Sequence, residues 1–145
     1  MKMSTKGRYG LRVMVELARR HGAGPVMVDL IATNQELSAS YAHLLLGSLK
    51  SAGLVRSVRG PSGGYELSRS PSLITAFDVI SAVEGDAPVD CVARPEGCNR
   101  SPTCAVREVW CEVAAAVEKV LASVTLEELA ARQGAKEATP PMYEI

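Results

Sequence analysis

The chain has 145 residues, 47% hydrophobic but only 4% aromatic, a length that suits one compact domain or a small domain with an appended dimerisation element. No run approaches eighteen apolar residues and no apolar signal region opens the chain, so neither a membrane partner nor a secretory leader is expected, and a cytoplasmic location is. Sixteen bases balance sixteen acids, yet residues 1–70 carry +6 and the rest −6, a segregation that points the front half at a polyanion.

Residues 6–20 read as a helix. Leu11, Met14, Leu17 and Ala18 recur at steps of three and four, and Gly22 with Gly24-Pro25 stops it. A short helix over 28–35 carries Leu30 and Ile31. Ser38 suits the N-cap of a third helix that ends at Gly53. In that helix Tyr41, Leu44, Leu45 and Leu49 are assigned to the core side, and Ser40, His43, Gly47 and Lys50 to the outer side.

The runs 54–58 and 65–68 flank RGPSGG and predict a β-hairpin. Thr75 with Asp78 predicts a capping box opening a helix that stops near Gly85. A loop rich in Pro, Gly, Asn and Ser follows, holding Cys91, Cys98 and Cys104 with six and then five residues between them. From Cys104 a long helix carries Val106, Val109, Trp110, Val113, Val117, Val120, Leu121 and Val124 as a narrow apolar stripe, for which a second copy of the chain is the simplest cover. Thr125 and Glu128 begin a last short helix over LEELAARQ, and residues 134–145 are expected to be a flexible tail.

Three helices and then a hairpin is the order of a winged helix-turn-helix. The expected fold is therefore mainly α (α+β), with a DNA-binding region over 1–85, a cysteine loop over 86–103 and a dimerisation helix with the short last helix over 104–133. In that geometry the N-terminal residues of the third helix, Ser38, Ser40, Tyr41 and His43, meet base edges. Tyr41 is equally placed to be a core residue. Arg59 of the wing suits the minor groove, and Lys6, Arg8, Lys50 and Arg56 suit phosphates. RGPSGG lacks the spacing of a nucleotide loop, and no Ser/His/Asp set or paired carboxylates appear, so no enzyme is expected.

Clustered cysteines in a reducing compartment bind metal or act in redox chemistry more often than they form disulfides. Zinc sites use tighter spacing than this loop offers. A thiol-redox sensor and inert thiols stay open beside a metal or cluster site.

The stretches STKGRYG, LSASYAHLLLGSLKSAGLV, VRGPSGGYELSR and ITAFDVISAVEG, together with the three-cysteine loop, resemble the Rrf2 family of bacterial winged-helix regulators over residues 2 to about 130. The resemblance implies a cytoplasmic homodimer on double-stranded operator DNA. It puts DNA reading on Ser38, Ser40, Tyr41, His43, Arg59 and Gly64, and iron–sulfur ligation on Cys91, Cys98 and Cys104, with 2Fe–2S favoured over 4Fe–4S.

The chain departs from the cluster-binding members in three places. Its first cysteine gap is six residues rather than five, and His43 replaces a glutamate. Arg107 stands where a histidine would supply the fourth ligand, and an always-protonated guanidinium does not ordinarily ligate iron. In another branch the partner's first helix supplies a carboxylate instead, and that position is Arg8 here. Cys111 lies about 10 Å along the helix from Cys104, too far to serve one small cluster. The expected function is a dimeric regulator sensing cluster or redox status. The alternatives are a cluster-free thiol-redox or cysteine-metabolism repressor, or a small iron–sulfur electron-transfer or carrier protein.

Overall fold

In the computed structural model, which describes residues 3–140, helix α1 (Thr5–Arg19) turns Val13, Met14, Leu17 and Ala18 inward. The glycines at 22 and 24 adopt positive φ directly after it, ending the helix where the sequence signals did. Helix α2 (Val28–Gln35) buries Ile31 and Ala32, while Leu30 stays exposed. The chain then turns through Glu36, the one non-glycine residue with positive φ among those described, into α3 (Ala39–Ser51). Ser38 caps α3 by accepting the Tyr41 amide at 3.1 Å.

Strands β1 (Val55–Val58) and β2 (Gly64–Leu67) pair antiparallel, with Val55 opposite Leu67. Their inner ends are buried and their outer ends are not. A third segment joins at one point: Val26, before α2, exchanges hydrogen bonds with Tyr65 at 2.8 Å each way. This contact explains Gly64. A Cβ there would stand 2.1 Å from the Val26 carbonyl oxygen, a backbone atom with no freedom to retreat.

Helix α4 (Ala76–Glu84) opens with the capping box foreseen from sequence: Thr75 accepts the Asp78 amide at 3.2 Å and Asp78 accepts the Thr75 amide at 2.9 Å. The cysteine segment is not an open loop. It forms a one-turn helix α5 (Asp90–Ala93) and two tight 3-10 turns, Pro95–Gly97 and Ser101–Thr103, before α6 (Ala105–Ala122).

Helix α7 (Leu126–Ala138) is longer than LEELAARQ and passes through Gly134, so residues 134–138 are helical rather than tail. Tertiary contact overrides the local polarity that argued for a tail. Leu126 is fully buried, and its amide bonds the Ile74 carbonyl while Ala76 bonds the Val124 carbonyl, both at 2.9 Å, tying the starts of α4 and α7 together. At its other end Glu137 grips Arg19 of α1 through two bonds of 2.9 and 2.6 Å. Residues 141–145 of the expected tail lie outside the described residues.

One core joins these parts: Val13, Met14 and Leu17 meet Ile31, Leu45, Leu46, Leu49, Leu54, Ile74, Val79 and Leu126. Full burial of side chains of this size contributes roughly 1.5–3 kcal/mol each, before conformational entropy is subtracted. Leu44 is not among them. It is 52% exposed, and Ala42 and Leu46 take the inward places, correcting the face assignment made from spacing alone. Helix α6 buries no residue at all. No described helix is long and apolar enough to cross a membrane.

A candidate DNA interface and its cysteine loop

The end of α2, just before the chain turns into α3, is held by polar contacts that the sequence reading did not find. Glu16 of α1 is a buried carboxylate, accepting from the side-chain amides of Asn34 and Gln35 and pairing with Arg20 at 3.4 Å. A buried charge is tolerated when it is hydrogen-bonded and paired, as this one is. Its two amide partners sit on the last turn of α2, immediately before the Glu36 turn, so the network ties α2 to α1 where the chain turns into α3. Arg12 extends it, donating to the Gln35 side chain at 3.0 Å. A lone glutamate among apolar residues at positions 13–18 was the available signal.

Tyr9 joins α1 to α3. Its ring meets Tyr41 edge-on at 6.2 Å between centroids, while the guanidinium groups of Arg8 and Arg12 stand 5.7 and 5.1 Å from its ring centre. Tyr41 is half-buried against the core edge. The apolar half of its two readings is thus met.

Around this pivot Ser38, Ser40 and His43 are exposed on α3, Lys6 and Arg8 on α1, and Arg59 at the wing tip. Lys50 at the far end of α3 donates to Ser57 of β1 at 2.9 Å, fastening the helix to the wing. Arg56 is committed to Glu66 across the hairpin at 2.8 Å, which lowers its value as a phosphate contact. Gly64 is half-buried at the turn end of the hairpin, opposite Val58 and under Val26, a steric role independent of any ligand.

The four cysteines are half-buried and none is disulfide-bonded. Cys98 lines an open cleft with Asn99, Ser101 and Arg107. The Arg107 side chain donates to the Cys91 carbonyl at 2.9 Å, so the residue at the expected fourth-ligand position instead ties α6 to α5. Among the described residues no three His, Cys, Asp or Glu side chains converge closely enough to hold a metal ion.

In donor type the loop suits a soft iron–sulfur group, with three thiols and a buried Ser101 hydroxyl that has no partner among the described residues. In placement it supplies three candidate ligands, apart from one another, and no fourth.

A helix presented beside a two-stranded wing, with bases at its flanks, defines a winged-helix DNA-binding protein. More narrowly, the chain belongs to the Rrf2 family: the family model, described as an iron-dependent transcriptional regulator, matches residues 3–132. The chain is similar to the HTH-type transcriptional regulator CymR of Bacillus subtilis, 47% identical over 131 residues and 90% of each chain. It is also similar to the regulator IscR of Xenorhabdus nematophila, 36% identical over 133 residues, which are 92% of this chain and 81% of that one.

Several solved structures resemble it, among them two of named regulators. One is CymR of B. subtilis, described as the global cysteine regulator, at TM-score 0.73 and 44% identity, covering 91% of this chain and 98% of that one. The other is IscR of T. potens, at TM-score 0.75 and 38% identity, covering 99% and 94%. Both of these curated relatives are named as transcriptional regulators, not as enzymes.

Proposed function

We propose that this chain is a homodimeric, operator-binding transcriptional regulator acting in the cytoplasm, whose affinity for DNA follows the state of Cys91, Cys98 and Cys104. The observation that supports it best is the surface formed by Ser38, Ser40 and His43 of α3 beside Lys6, Arg8 and Arg59, all exposed and all polar or basic. A gel-shift titration on the control region of the chain's own gene, repeated across salt concentrations, tests this reading. Binding should weaken steeply as salt rises, because each phosphate contact releases a counterion. Salt-insensitive or absent binding in both the reduced and the oxidised protein would overturn it.

Dimerisation is supported by α6. Val106, Val109 and Val120 are 63%, 56% and 65% exposed along one stripe, an apolar face that a second α6 would cover. Val109→Asp should give a monomer in sedimentation experiments and remove operator binding with it.

For the input, the donor set supports an iron–sulfur cluster, 2Fe–2S ahead of 4Fe–4S, held by Cys91, Cys98 and Cys104. When bound, such a group would supply a redox-sensitive tie drawing the three segments of the loop together. A second reading is favoured by the Arg107 bond to the Cys91 carbonyl, which occupies the fourth position, and by the similarity to CymR: a cluster-free regulator whose thiols are themselves the switch, or one tied to cysteine metabolism. Anaerobic purification with a visible absorption spectrum separates them. A coloured protein bleached by Cys98→Ala supports the cluster, and a colourless one whose DNA affinity changes with thiol oxidation supports the second reading.

A further inference from the structure

The outward centre of α3 is not polar. With about 100° per residue, Ser40, Leu44 and Gly47 fall within about 60° of one another, directly opposite the buried Ala42, Leu45, Leu46 and Leu49. Two features of this ridge have no explanation inside the chain. Leu44 leaves 52% of its surface in water although core positions lie on either side of it. Gly47 sits in mid-helix, where glycine is less favourable than alanine, and a Cβ there would meet nothing within 4 Å. A small residue with open space above it suits a position that a partner's backbone must approach closely.

We propose that Leu44 is a specificity-determining residue that packs against the C5-methyl of a thymine in each operator half-site, and that Gly47 lets the helix sink far enough into the major groove for it to do so. The thymine methyl is the one apolar group displayed in that groove, and Ser40, beside Leu44 on the ridge, is positioned to bond a neighbouring base edge. The occupant is duplex DNA rather than a protein because the flanks of the ridge carry His43 and Lys50, with Arg59 on the adjoining wing. The inference rests on the DNA-binding reading above and adds to it which base feature is read.

The test uses the full-length protein and a duplex recovered by selection from random sequence. Each half-site thymine is replaced singly by uracil, which removes the methyl and keeps the base pair. One position should weaken binding about four-fold, the worth of one buried methyl-sized group. In Leu44→Ala that penalty should vanish while discrimination at other positions persists. Gly47→Ala should raise the thermal midpoint and lower affinity together, opposite signs that a folding defect does not produce. A uracil penalty equal in the two proteins, or found at no position, overturns the Leu44 assignment alone. Failure to select any duplex overturns the DNA-binding reading, and this inference falls with it.

Discussion

The carboxylate of Glu84, the last residue of α4, accepts the backbone amide of Gly7 in α1 at 2.9 Å and a further bond from the Ser4 hydroxyl. Helix α1 has no acidic residue in its own first turn, and Ser4 makes no side-chain cap, so Glu84 supplies the missing anion from 77 positions away. Glu84 also closely precedes the segment that carries the cysteines, which places the entry to that segment against the turn bearing Lys6 and Arg8. Glu84→Ala should cost about 1 kcal/mol in urea unfolding, the worth of a lost cap. A Cβ on Gly7 would stand 2.5 Å from the Glu84 oxygen, so Gly7→Ala should displace the carboxylate and destabilise the parent. In the Glu84→Ala background only the flexible end of the Met3 side chain, 2.9 Å from that Cβ, has to give way, and the same change should stabilise by up to about 1 kcal/mol through helix propensity. Equal effects in the two backgrounds would refute the coupling.

Gly64→Ala should be the more damaging glycine replacement. The Val26 carbonyl oxygen would lie 2.1 Å from the added methyl, and the backbone on both sides of that contact is held by the Val26–Tyr65 bridge. A loss of at least about 2 kcal/mol is expected, with the wing detached from the α1–α2 connection. Thermal melting reports the first effect and amide exchange at Val26 and Tyr65 the second. Loss of DNA affinity without either would instead assign Gly64 a direct contact.

Arg107→Ala should loosen the cysteine segment, because the 2.9 Å bond to the Cys91 carbonyl is a tie from α6 to α5. Labelling of Cys91 and Cys98 by a soluble thiol reagent should accelerate by about three-fold or more, as local opening becomes easier. Cys111, inside α6, serves as the internal control and should keep its rate. Uniform acceleration of all four thiols would mean global destabilisation rather than release of the loop.

The ion pair of Arg19 with Glu137 carries a pH signature. Hydrogen bonding to Arg19, and secondarily to Gln133, holds the Glu137 carboxyl below its ordinary range, while the Arg19 guanidinium is raised chiefly by the same bond. A lowered carboxyl contributes stability above its unfolded value and loses it as pH falls through the folded one. The last turn of α7 should therefore release from α1 on acidification, as pH falls through the lowered range of the Glu137 carboxyl, with the release shallower at high salt. Hydrogen exchange at Lys136–Ala138 measures it, and Glu137→Gln should remove the pH dependence.

The caps and breakers were legible because they act within four residues. Ser38, the Thr75–Asp78 box, Thr125 and the glycines after α1 each satisfy or end a helix locally, and each holds in the fold. The face of α3 was only half legible. Four leucines and an alanine between positions 42 and 49 exceed what one stripe can bury, and spacing does not say which one is left out. Leu44 is left out because α1 and α4 cover the opposite side of the helix. The length of α7 was hidden for a related reason: Ala135–Ala138 are good helix formers but lie between Gly134 and Pro140, and the stretch is held by Glu137 reaching Arg19.

By itself the sequence determined the helix order, the wing, the segregation of charge and the position of three cysteines in one segment, since each depends on residue type and near neighbours. Only the tertiary structure decided that Glu84 caps a helix 77 positions away, that Gly64 yields to Val26, that Leu44 faces outward and that Arg107 holds the Cys91 carbonyl. Those are contacts between segments distant in the chain. Their geometry follows from how the helices pack around one core, which no local pattern encodes.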